Sequence, residues 1–154
     1  MTSMVELVGE PLHILLVEDN EAHAELVMRS MRDQQVANRI HHVIDGDQAL
    51  DYLFGRGVYA DPIQYPRPNV IFLDLRLPKI DGLEVLRTIK TTPSLLRIPV
   101  VILTSSDAET DIAKSYDYHA NSYVIKPLDF KTFTVLMKEL GFYWMGWNAK
   151  PHID

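Results

Sequence analysis

A chain of 154 residues with 47% apolar and 23% charged side chains can bury one globular core and does not have the composition of a disordered segment. Its formal charge of −6 and pI near 5.4 argue against direct binding to a nucleic-acid backbone, and the lack of cysteine excludes disulfides, thiolate metal sites and thiol nucleophiles. No apolar run approaches the roughly 20 residues that span a bilayer, and residues 1–11 lack a basic stretch leading into an apolar one, so the cytoplasm is the expected location.

Residues 1–11 read as an N-terminal extension. Short apolar runs then alternate with amphipathic segments. Residues 13–17 form the first predicted strand. A helix over 21–32 places Leu26, Val27, Ser30 and Met31 on one face. Residues 39–43 form a second strand, polar enough to lie at or near a sheet edge. A helix over 47–54 aligns Ala49, Leu50, Leu53 and Phe54. Residues 55–68, with three prolines, read as an ordered surface excursion or a partner contact. The third strand is 70–73, followed by a helix over 82–90 with Leu83, Leu86 and Ile89. The fourth is 100–103, followed by a helix over 108–118 with Ile112, Ala113 and Tyr116. The fifth is 122–125, followed by a helix over 129–140 with Phe130, Phe133, Met137 and Leu140, for which Asp129 is a cap candidate. The tail, 141–154, carries Phe142, Tyr143, Trp144 and Trp147, suited to packing on its own core or to an interface.

Strict strand–helix alternation with right-handed crossovers predicts an α/β fold, a doubly wound five-stranded parallel sheet. Ligands in such sheets bind beyond the carboxyl ends of the strands. The residues there are Glu18 and Asp19, Asp74, Thr104, and Lys126 with Pro127. Crowded carboxylates repel unless a cation joins them, and Mg²⁺ suits a site of one or two carboxylates plus waters or phosphate oxygens. A carboxylate can attack phosphorus, and phosphoryl transfer needs mainly positioning and neutralisation of charge. Taken singly, each residue has a plainer reading as a cap, a turn or a solvated charge. Their convergence on one sheet edge favours a phosphoryl-transfer site.

These segments resemble the receiver domain of two-component response regulators, a CheY-like (βα)5 flavodoxin-like fold. The matching residues are 17–19, 73–82, 103–106 and 123–127, within a domain of 12–140. The resemblance implies Asp74 as the acceptor of a phosphoryl group from a histidine kinase. It implies Mg²⁺ bound directly by Asp19 and Asp74, by Glu18 mainly through water, and by the backbone carbonyl of Arg76. Lys126 and Thr104 would contact the phosphoryl oxygens. Thr104 and Tyr123 would form the switch, and the Lys126–Pro127 bond would be cis. Catalysis would be confined to the chain's own phosphorylation and dephosphorylation. Arg76 and Ser106 occupy positions that tune dephosphorylation, and a bulky Arg76 could shield or reach the acyl phosphate. Glu18 stands where Asp is frequent, and Leu77 where Met is common.

Residues 45–53 and 57–62, with the aromatic tail, look like the stand-alone regulators of phytochrome kinases. That resemblance implies a light-responsive kinase as partner and a homodimer through the fourth helix, fifth strand, fifth helix and tail. Output would fall to another protein, with no effector domain expected. A phosphohydrolase commonly carries a second acid where Arg76 stands, and a phosphorylation-independent module would have lost part of the Asp19, Asp74, Thr104 and Lys126 set. A flavin protein would need a phosphate-cradling loop after the first strand. His41 and His42 point to opposite strand faces and are expected at the surface, and His13, His23, His119 and His152 show no paired spacing.

Overall fold

Three of the strand segments are apolar at almost every position, so they must be covered on both faces. The computed structural model, which describes residues 11–32, 38–127, 129 and 131–139, shows how this is met. The elements are β1 (Leu12–Val17), α1 (Glu21–Arg32), β2 (Asn38–Val43), α2 (Gly46–Phe54), a 3₁₀ turn (Gly57–Tyr59), β3 (Val70–Leu73), α3 (Gly82–Thr91), β4 (Val100–Thr104), α4 (Glu109–Asp117) and β5 (Ser122–Ile125). Residues 131–139 form a final helix, α5. All strand pairings are parallel, in the order β2-β1-β3-β4-β5. The apolar strands β1, β3 and β4 are central, and the polar β2 is an edge, as its composition predicts.

Alternation along the strands divides the core in two. Leu15, Val17, Ile71, Leu73 and Ile102 pack with Leu50, Val85, Leu86 and Ile89 from α2 and α3. Ile14, Leu16, Phe72 and Leu103 pack with Val27 and Met31 of α1 and Phe133 and Met137 of α5. Asp129 begins the last helix by accepting hydrogen bonds from the Thr132 N–H and hydroxyl at 2.9 and 2.8 Å. The expected Phe130 and Leu140 contacts, residues 1–10 and the tail 141–154 lie outside the described residues.

Four expectations need correction. On α2 the buried aromatic is Tyr52, not Phe54, which is 41% exposed. Tyr52 donates to the Pro66 carbonyl at 2.9 Å and packs with Tyr59 and Tyr65, so segment 55–68 folds back and chooses the helix face. On α4 Tyr116 and Ala113 are exposed, Ile112 is half-buried, and the covered positions are Asp111 and Ser115. A polar contact described below sets that rotation. His41 is half-buried and stacks on His13 with ring centroids 5.6 Å apart. The β1–β2 register sets Leu15 opposite His41, so His13 lies on the same face one pleat away. His42 is also half-buried, at the edge of the site. The Lys126–Pro127 peptide is trans, since no described peptide is cis. The isomers of such a bond differ by only about 0.5–1 kcal/mol, and Lys126 reaches its partners from the trans form.

Two glycines fix the loop between β3 and α3. A Cβ on Gly82 would lie 2.4 Å from the Asp74 carbonyl oxygen and 2.5 Å from the Leu75 Cα. A Cβ on Gly46 would lie 2.3 Å from the Ile80 carbonyl oxygen. These are backbone clashes that no rotamer change relieves. Gly82→Ala is therefore expected to cost about 1–3 kcal/mol in urea unfolding by displacing the end of β3.

Candidate functional site

The central ladder continues one residue past each strand. The Glu18 N–H donates to the Val43 carbonyl at 3.0 Å, the Asp74 N–H to Val17 at 3.1 Å, and the Lys126 N–H to Thr104 at 2.7 Å. The carboxyl ends of β1, β3, β4 and β5 are thereby held level, and Glu18, Asp74, Thr104 and Lys126 meet there, all buried. Asp19 is exposed at the rim.

Asp74 is the hub. Its Oδ1 accepts from the Thr104 hydroxyl at 2.7 Å and from the Arg76 N–H at 3.2 Å. Its Oδ2 accepts from the Lys126 ammonium at 3.0 Å. Lys126 also donates to Glu18 Oε1, and Glu18 Oε2 accepts from the Asn20 N–H at 3.1 Å. Burial alone would raise the Asp74 pKa. The Lys126 charge and the hydrogen bonds from Thr104, Lys126 and Arg76 outweigh it and hold the group below the ordinary carboxylate range. Glu18 has fewer donors, so its burial wins over the same ammonium and pushes its pKa up to about 7. The two opposite directions favour the ionised form of Asp74, the form a nucleophile requires.

Glu18, Asp19 and Asp74 bring carboxylate oxygens within 4.8 Å of one another. Three carboxyl groups face one ammonium, so the pocket is short of positive charge. That deficit and an all-oxygen donor set fit a hard divalent cation.

The side chains of Arg76 and Tyr123 make contacts away from the three carboxyl groups. The Arg76 guanidinium turns to Asp111 Oδ2, at 2.6 Å, and to the Ser106 hydroxyl oxygen, at 3.3 Å. Ser106 itself donates to Asp111 Oδ2 at 2.6 Å. This contact rotates α4 to bury Asp111. Tyr123 lies apart from the carboxylates, half-buried, and its hydroxyl donates to the Ser106 carbonyl at 2.8 Å. The loops after β3 and β4 and the strand β5 are thus tied through Ser106.

Sequence reasoning missed four contributors. Asn20 caps α1, its Oδ1 accepting from the His23 N–H at 3.0 Å. His42 places Nε2 2.7 Å from the Glu18 carbonyl oxygen and steadies the turn after β1. Asp111 holds Arg76, and His23 places Nδ1 3.1 Å from the Lys126 ammonium. An Asn ahead of a helix and a His in that helix's first turn, beside a strand-end site, were available signals. The Asp111 and His42 contacts depend on register and had none.

A family profile described as the response regulator receiver domain matches residues 14–138. The chain belongs to that family. The probable methanogenesis regulatory protein FilR2 of Methanothrix harundinacea is 45% identical over 147 residues, covering 92% of this chain and 89% of that protein. Response regulator Rcp1 of Synechocystis sp. is 40% identical over 135 residues, covering 88% of this chain and 90% of Rcp1. The crystal structure of Mn(2+)-bound Rcp1 matches with a TM-score of 0.86 at 39% identity, covering 92% of this chain and all (100%) of the Rcp1 chain. The phosphorylated cyanobacterial phytochrome response regulator RcpA matches at 0.83 with 41% identity, covering 87% and 94% of the two chains. As a receiver, the protein is a phosphoryl-accepting signalling domain of two-component systems. Among the described residues no helix is long and apolar enough to cross a membrane.

Proposed function

We propose that Asp74 accepts the phosphoryl group, with Mg²⁺ held by Asp19 and Asp74 directly, by Glu18 through water and by the Arg76 carbonyl. The observation that carries this reading is the Asp74 carboxyl group at the focus of Thr104, Lys126 and the Arg76 N–H. In the step, the P–N bond of a kinase phosphohistidine breaks, an Asp74 oxygen bonds to phosphorus, and the leaving imidazole nitrogen takes a proton. Thr104 and Lys126, which donate to Asp74 beforehand, then turn to phosphoryl oxygens. Drawing Thr104 inward strains the Ser106 link to Tyr123, which makes Thr104 and Tyr123 the switch. The domain spans 12–140, between the extension 1–11 and the tail 141–154, and it turns over no substrate other than its own acyl phosphate. The protein acts in the cytoplasm.

The donor we propose is a phytochrome-type histidine kinase, on the strength of the likeness to Rcp1 and RcpA. Incubation with acetyl phosphate and Mg²⁺ is expected to add the mass of one phosphoryl group, and chelation to prevent it. No mass gain with Mg²⁺ present sinks the reading. A homodimer through α4, β5 and α5 is supported by exposed apolar side chains on all three, Tyr116, Ile125 and Val135. Ile125→Asp is then expected to shift sedimentation equilibrium to the monomer, and a wild type that is monomeric with and without beryllofluoride refutes the dimer.

A further inference from the structure

We propose that His23 is a positioning residue for phosphoryl acceptance, acting as the neutral anchor of Lys126. The inference rests on Asp74 as acceptor and adds a residue to that reaction. An ammonium has three N–H donors. On Lys126 they go to Glu18 Oε1, to Asp74 Oδ2 at 3.0 Å and to His23 Nδ1 at 3.1 Å. Lys126 can only donate, so Nδ1 must accept, and the His23 proton sits on Nε2. The ring has little freedom to turn away. Its backbone N–H is fixed by Asn20 Oδ1, and its face stacks on the buried Phe133 of α5 with centroids 5.7 Å apart and planes 22° apart.

The three acceptors differ in what phosphorylation does to them. Asp74 loses its charge when it becomes an acyl phosphate, and Glu18 gains a cation nearby. Both therefore change their hold on Lys126 during the reaction. His23 is neutral and outside the reacting atoms, so its pull stays constant while the other two donors are reassigned. A third carboxylate in its place would compete with the phosphoryl oxygens for the ammonium. An imidazole nitrogen holds Nζ without that competition. The other charged groups facing His23 are Asp74 and Asp19, from the ends of β3 and β1, while α5 presents the uncharged Phe133.

The test separates the acceptor atom from the ring. His23→Phe keeps the stack on Phe133 and removes Nδ1. His23→Asn puts an amide oxygen near the Nδ1 position and removes the ring. Initial rates of labelling with acetyl phosphate and Mg²⁺ are measured for the full chain by intact mass. The Phe variant is expected to be slowed about tenfold, with the Asn variant within about twofold of wild type. A Phe variant as fast as wild type, or two variants slowed alike, overturns the anchor role. A slow Asn variant beside a fast Phe variant shows that only the ring packing matters, and overturns it too. A wild type that takes no label sinks the acceptor reading and this inference together, whereas a labelled wild type with an equally fast Phe variant sinks this inference alone.

Discussion

Asp74→Asn is expected to reduce phosphoryl labelling by at least about a thousandfold, to background, while the chain stays folded. The amide oxygen can still accept from the Thr104 hydroxyl and the Arg76 N–H, so the end of β3 keeps two of its ties. Lys126 keeps Glu18 and His23 as partners. What disappears is the ionised oxygen that attacks phosphorus. Glu18 lacks the Thr104 and Arg76 donors that focus on Asp74, and burial raises its pKa to about 7. Asp19, at the exposed rim, lacks the Thr104 and Lys126 donors. Far-UV circular dichroism checks the fold, and intact mass with acetyl phosphate and Mg²⁺ checks acceptance. Undiminished labelling of the variant shows that another residue is the acceptor.

Lys126→Met should have the largest effect on stability. It leaves Glu18 and Asp74 buried with no counter-charge, a situation that costs about 3–5 kcal/mol. The loss depends on pH. In the wild type the folded pKa of Glu18, about 7, exceeds the ordinary glutamate value of 4.5. The protonated form is therefore favoured in the fold. Its contribution, on the order of 3 kcal/mol, is complete below pH 4.5 and is lost as pH rises through 7 in metal-free solution. Removing the ammonium removes a term that lowers this pKa. The variant is thus expected to be weakest at pH 7.5 with a chelator, to recover at pH 5 as Glu18 protonates, and to recover in part with millimolar-range Mg²⁺. Urea unfolding under these three conditions measures it. A variant as stable as wild type at pH 7.5 without metal contradicts the picture of an acidic pocket held by Lys126.

Much of the fold and of the site is legible in the sequence, for identifiable reasons. Strands 70–73 and 122–125 and the helix Glu21–Arg32 have the predicted bounds, because continuous apolar runs and 3.6-residue spacing act locally. Asp74, Thr104 and Lys126 were legible because parallel crossovers place every strand's carboxyl end on one edge. Contacts between distant segments were not. His23 and Lys126 are 103 positions apart, and no pattern in either helix or strand links them. The stacking of His13 on His41 depends on β1–β2 register, and the choice of Tyr52 over Phe54 on how segment 55–68 folds back. Apolar spacing does not set the rotation of α4, whose covered positions are Ser115 and the Asp111 that pairs with Arg76.

That rotation gives α4 an unusual energetic position. The buried positions of α1, α2 and α3 are mostly apolar, whereas α4 covers Asp111 and Ser115, and the Ser115 hydroxyl is enclosed with no hydrogen-bond partner among the described residues. Enclosing an unmatched hydroxyl disfavours the state that contains it by about 1–3 kcal/mol. Sliding this helix forfeits little hydrocarbon contact and can relieve that debt. Among its neighbours it is the piece with least to lose from moving, and so the one that a modest local charge change can displace.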